Sequence, residues 1–352
     1  MESDATAAEL AEVDSPLSSP TSVAGLGVLR RRSLFLDKEQ SPVLFRSGDL
    51  SPRGAREQQR QQRLAAMLLE RGKARDALQL VEKALPGRPD DTNWISLRGQ
   101  CYLKMDSPPA AYACFVSALK LDPKHVDSLM GLAALYNTKE MMQECIDAAT
   151  KAHNLRPEDK MIREMLAIAL MDMGTKLKIA GDMDRCIENY KRALEVCEDY
   201  GPACYNLGVV HYELNEKDKA LEYYKKAAEL QPNYAQAHCN MGVIHKEQSN
   251  LELAIQCYEK ALVCNPNFQT VHNNLATALS ELGTKLKMEG KFDEGVAMYE
   301  RALGHNPKHV QAVYNLGVAY GESGHLDRAI FMRRQYTATP LHCRSGQIFH
   351  RV

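Results

Sequence analysis

Small and apolar residues recur along this chain with a long fixed period, inside segments whose apolar positions follow the three-to-four spacing of helices. Aligning YNLGVVHYELNEKDKALEYYKKAAELQP (205–232) with CNMGVIHKEQSNLELAIQCYEKALVCNP (239–266) sets like residues at like offsets, from Gly208 with Gly242 to Pro232 with Pro266. When the unit that begins at Gly201 is counted from one, Gly208 stands at position eight, His211 at eleven, Ala220 at twenty, Tyr224 at twenty-four, Ala227 at twenty-seven and Pro232 at thirty-two. The small residues let two helices cross at close range, the large ones fill the gaps so formed, and the proline ends the second helix.

The same ruler places units at 92–125 and 235–268, with looser ones at 58–91 and 126–159. Two more, 160–200 and 269–309, are longer by seven, and the added positions lie in MDMGTKLKIAGDMD and SELGTKLKMEGKFD. Seven positions are about two helical turns, so a first helix lengthened by that much keeps its apolar face in phase and protrudes. A partial unit at 310–330 follows, and 331–352 carries neither the repeat pattern nor a polar capping helix, with Arg333 where the second helix should have its aromatic. Solenoids normally end in a cap, so this terminus reads as a truncation. A period of about 34 residues is the signature of the tetratricopeptide repeat (TPR). The expected fold is an all-α, right-handed TPR superhelical solenoid over 58–330. Ahead of it, the Ser/Pro-rich segment 1–57 is expected to be disordered, because it cannot bury enough apolar surface to offset the ordering entropy. Its four Ser-Pro pairs and Arg30-Arg31-Arg32-Ser33 are candidate phosphorylation sites.

Composition narrows the partners. With 44 Lys+Arg against 45 Asp+Glu, the chain lacks the basic excess of a nucleic-acid binder. No apolar run of membrane-spanning length and no signal peptide is present in the sequence. The ten cysteines are scattered without a CxxC pair, and most fall on small-residue helix positions, which suits reduced core thiols. His305 and His309 stand four apart, but Pro307 between them removes the helical facing a metal would need. His211 and His245 occupy the position-eleven packing slot. No P-loop, GxGxxG, GxSxG or HExxH motif occurs. Catalytic, cofactor-binding and metal residues are therefore predicted as none, and the expected partners are extended or disordered protein segments, without nucleic acid or membrane.

The inner face of such a stack is built from first helices, and position six there is Asn206, Asn240, Asn274 and Asn315. An amide offers a donor and an acceptor, so stacked Asn side chains could hold a polypeptide by its backbone; alternatively, each Asn fastens its own helix pair. Tyr205, Asn273 and Tyr314 at position five line the same predicted groove. A co-chaperone clamp would want Lys and Arg there instead.

The ordered pieces YNLGVVHYE, CNMGVIHKEQSNLELAIQCYEKAL, NNLATALSELGTKLKMEGKFDEGVAMYERAL and YNLGVAYGE, with LGTKLK-type inserts at 173–178 and 282–287, resemble the TPR half of the SPINDLY family. The resemblance covers most of 58–330. It implies a superhelix that selects protein substrates and self-associates, a homodimer included, beside a separate glycosyltransferase domain acting on Ser/Thr from GDP-fucose or UDP-GlcNAc. It also implies work in nucleus and cytoplasm, in gibberellin and related hormone signalling. The groove role carries over to Asn206, Asn240, Asn274 and Asn315; the donor-binding residues have no counterpart in this sequence. The alternatives are that the full gene product is the transferase itself, or that the chain is a generic TPR adaptor.

Overall fold

The computed structural model describes residues 52–337, and among them every regular element is helical, with no strand. Residues 1–51 and 338–352, which include all four Ser-Pro serines, the Arg30-Arg31-Arg32-Ser33 run and Cys343, lie outside the described part. The chain divides into two compact bodies, one ending at Ala203 and one starting at Cys204.

The first body holds α1 (Pro52–Glu70), α2 (Ala74–Ala84), a 3-10 turn (Leu85–Gly87), α3 (Thr92–Lys104), α4 (Pro108–Leu121), α5 (Val126–Thr138), α6 (Met142–Leu155), α7 (Lys160–Ile179) and α8 (Met183–Val196). The second holds α9 (Gly201–Glu213), whose first turn contains the break, α10 (Lys217–Leu230), α11 (Ala235–Glu247), α12 (Leu251–Cys264), α13 (Gln269–Met288), α14 (Phe292–His305), α15 (Val310–Glu322) and α16 (Leu326–Thr337). Each odd-numbered helix pairs with the even one after it, which is the repeat of a TPR solenoid.

Local chemistry sets the pairing. Between the two helices of every unit stands one residue with positive φ: Gly72, Asp106, Glu140, Gly181, Asn215, Ser249, Gly290 and Gly324. This left-handed residue ends the first helix, and the following amide reaches back five positions, as in Asn250 N–H to the His245 carbonyl at 2.8 Å. Asp91, Asp159 and Asp182 cap α3, α7 and α8 with their side chains.

Packing follows the predicted ruler. A Cβ on Gly208 would lie 2.6 Å from the Tyr224 ring, one on Gly242 2.5 Å from Tyr258, and one on Gly99 2.7 Å from Phe115. The aromatic at position twenty-four thus occupies the space a side chain at position eight would need. Phe115 also seats against Gly131 of the following unit, where a Cβ would approach to 2.4 Å, so one ring locks two repeats. In the first body Trp94, Phe115, Leu135 and Leu170 are fully buried, or nearly so; in the second Tyr224, Tyr258, Leu275 and Leu279 are.

The seven-position inserts lengthen first helices: α7 and α13 have 20 residues where α5, α9, α11 and α15 have 13. Their tips project, with Ile179 and Met288 each 83% exposed. Thr175 bonds the Tyr190 hydroxyl at 3.0 Å, and Thr284 bonds the Tyr299 hydroxyl at 3.0 Å. The offset that carries Thr175 onto Thr284 also carries Tyr190 onto Tyr299, so 92–200 and 201–309 are successive copies of one block, each made of two standard units and one lengthened unit.

Two sequence boundaries shift. Helix α1 starts at Pro52 rather than at 58, because proline is well suited to a first helical position. Helix α16 continues through Thr337 into the stretch read as a divergent tail. Met332 closes that unit instead of an aromatic, its Cβ 3.3 Å from where a Cβ on Gly317 would be, while Arg333 is exposed.

Candidate protein-binding face

All seven predicted groove residues lie in the second body, on α9, α11, α13 and α15. They do not present an open row of amides. Asn240 and Asn274 have no exposed surface, Asn206 is 6% exposed and Tyr205 is fully buried. The Asn240 amide donates to the Tyr205 hydroxyl at 3.3 Å, binding one repeat to the next. Tyr205 also packs on Tyr234 with ring centroids 4.9 Å apart, and burial pushes its phenol pKa up. At Asn240 this bond runs to the preceding unit, not within its own helix pair, and the amide is closed off from solvent. Sequence could not separate the two roles, because neither the residue type nor its spacing reveals how closely the next first helix sits.

Asn273, Tyr314 and Asn315 are half-buried, with part of each side chain on the surface. Asn315 donates to Thr284 Oγ1 at 3.1 Å and accepts from the exposed Gln311 at 2.8 Å. Asn273 Oδ1 accepts from Gln269 at 3.3 Å and from Asn306 at 3.2 Å, and Thr277 Oγ1 meets His309 Nε2 at 3.2 Å. The polar stripe of α13 and α15 is thus largely self-bonded. Asn274 is the exception, since neither its amide nitrogen nor its oxygen has a partner; Ser280 Oγ, 2% exposed, has none either.

One residue was not foreseen. Asp172 in α7 is 4% exposed, and burial pushes its carboxyl up to about 6 against the opposing Lys176 ammonium. His211 is buried as a position-eleven packing residue and holds Glu216 at 2.6 Å, while His245 is half-buried. None of the nine described cysteines is in a disulfide, and seven of them are buried. Among the described residues no group of three or more His, Cys, Asp or Glu could hold a metal ion, and no helix is long and apolar enough to cross a membrane. An open cleft of about 620 Å³ in the first body is bordered by Glu82, Ile95, Arg98, Lys120 and Leu121 and contains none of the predicted groove residues.

Comparison with known proteins agrees with the fold. Tetratricopeptide repeat profiles match residues 201–234 and 235–268, 257–294 and 286–338. The C-terminal part of a TPR repeat-containing protein from Cytophaga hutchinsonii superposes with a TM-score of 0.50 at 17% identity, covering 72% of this chain and 98% of that one. The chain is a TPR protein. More narrowly, its repeat region is homologous to that of SPINDLY: the proteins described as probable UDP-N-acetylglucosamine–peptide N-acetylglucosaminyltransferase SPINDLY are 46% identical over 260 residues in Hordeum vulgare and 55% identical over 163 residues in Oryza sativa subsp. japonica. These matches cover 74% and 46% of this chain but only 28% and 18% of the relatives' length.

Proposed function

We propose that this chain is the protein-binding repeat region of a SPINDLY-type glycosyltransferase, selecting the polypeptides on which such an enzyme acts. The observation that carries this reading is the 46% identity sustained over 260 residues, within a repeat region marked by an unusual pair of lengthened units. On this reading the donor sugar, GDP-fucose or UDP-GlcNAc, is handled by a part of such enzymes that the similarity does not reach, and this chain needs no cofactor of its own. The bound segments are extended or disordered, carry the Ser or Thr to be modified, and belong to nuclear and cytoplasmic proteins of gibberellin and related signalling. A homodimer formed through the repeats belongs to the same reading.

The half-buried residues Asn273, Tyr314 and Asn315 are the expected contact points, with Asn274 behind them. Fluorescence anisotropy with a disordered Ser/Thr-rich acceptor peptide tests this. The triple variant N273A/Y314A/N315A is expected to bind roughly tenfold or more weakly, since loss of about 1.4 kcal/mol suffices for that change, with helicity unchanged by circular dichroism. Unaltered binding would remove these residues from the contact surface.

A further inference from the structure

His272 on α13 and His305, the last residue of α14, face each other with Nδ1 to Nδ1 at 3.2 Å and ring centroids 5.4 Å apart. The other nitrogen of His272, Nε2, is 2.9 Å from the Pro266 carbonyl oxygen. That oxygen can only accept, so Nε2 bears the proton and Nδ1 turns its lone pair toward His305. His305 then supplies the N–H that joins the two rings. Beside the pair, Glu259 holds the Arg301 guanidinium at 2.7 Å.

Two imidazole nitrogens bound at about 2.0–2.1 Å to a tetrahedral ion stand roughly 3.3–3.4 Å apart. The observed spacing is already close to this. A ligating histidine is characteristically held from behind by a backbone carbonyl on its second nitrogen, as His272 is by Pro266. The preceding unit makes the comparison sharper. There His238 takes the equivalent position and bonds the Pro232 carbonyl, but the position matching His305 is Cys264, whose thiol is itself directed 3.3 Å from Pro232 O. Of these two units, the later one converges two imidazoles.

We propose that His272 and His305 chelate a divalent d-block cation of the imidazole-preferring class, represented by Zn(II), with water in the remaining positions. On binding, the His305 proton moves from Nδ1 to Nε2, so both Nδ1 lone pairs meet the ion and no proton is released overall. The ion replaces the N–H···N bond and ties the end of α14 to α13.

The test is calorimetric titration of the metal-free 352-residue chain with Zn(II) in a weakly coordinating buffer. One ion per chain is expected, with affinity falling at least about tenfold in H272Q and in H305Q and unchanged in H238Q. H305Q leaves the bond to Pro266 intact and decides the matter if H272Q folds poorly. Absence of a one-equivalent site in the parent chain, or equal affinity in H305Q, overturns the proposal.

Discussion

Asp172 shows how one side chain can work against its own fold. Neither of its carboxylate oxygens has a hydrogen-bond partner, and the nearby Lys176 is engaged with Glu140 at 3.4 Å. Its pKa, pushed from 3.8 up to about 6, means that folding disfavours the charged form. Its contribution therefore improves as pH falls through about 6 and is worst above that value. Asp172→Asn should raise stability by about 1–3 kcal/mol at pH 8, a gain that shrinks toward pH 4. His125, His238 and His309 slope the other way, because burial depresses their pKa values and stability is lost as pH drops through the ordinary histidine range. Melting curves of variant and parent compared at each pH cancel that background, and a gain independent of pH would show that Asp172 is not the titrating group. Nothing in the sequence marks this residue. Glu213, Glu247, Glu281 and Glu322 at position thirteen of later units are acidic too and all exposed, so an acidic residue there does not announce burial.

Among elements, the turn inside each repeat was half legible. Gly72, Gly181, Gly290 and Gly324 announce a left-handed residue, whereas Asp106, Glu140, Asn215 and Ser249 take the same conformation without a glycine to signal it. Ser249, at φ 62°, bears a Cβ in a region that costs L-residues about 1–2 kcal/mol. Ser249→Gly should therefore stabilise the protein by about 0.5–1 kcal/mol, read as a higher urea midpoint at unchanged slope. A lower midpoint would mean that the entropy glycine adds to the unfolded chain outweighs the strain removed. The helices themselves were readable because the repeat imposes the same demands on the sequence many times over. The outermost boundaries were not, since Pro52 and Met332 satisfy local needs in ways the repeat does not use.

Taken whole, the molecule is a chain of neighbours. Gly242→Ala puts a methyl group 2.5 Å from the Tyr258 ring, an overpacking that should cost about 1–3 kcal/mol. In a repeat array that strain passes mainly to adjoining units. Amide exchange should quicken across α9 to α14 and remain as in the parent across α3 to α6. Equal acceleration everywhere would indicate that the repeats unfold as one cooperative body. The ruler assigns the predicted groove positions to α9, α11, α13 and α15, but whether an amide there meets solvent or the next helix depends on distances between repeats that no residue pattern encodes.

The doubled block, 92–200 followed by 201–309, has a genetic consequence. Because Thr175 and Thr284, or any other matched pair, occupy the same phase of the same block, a recombination event that slips from one copy to the other deletes or adds one whole block without disturbing the phase of a single helix. Such a chain can change length in whole blocks while the alternation of standard and lengthened units is kept.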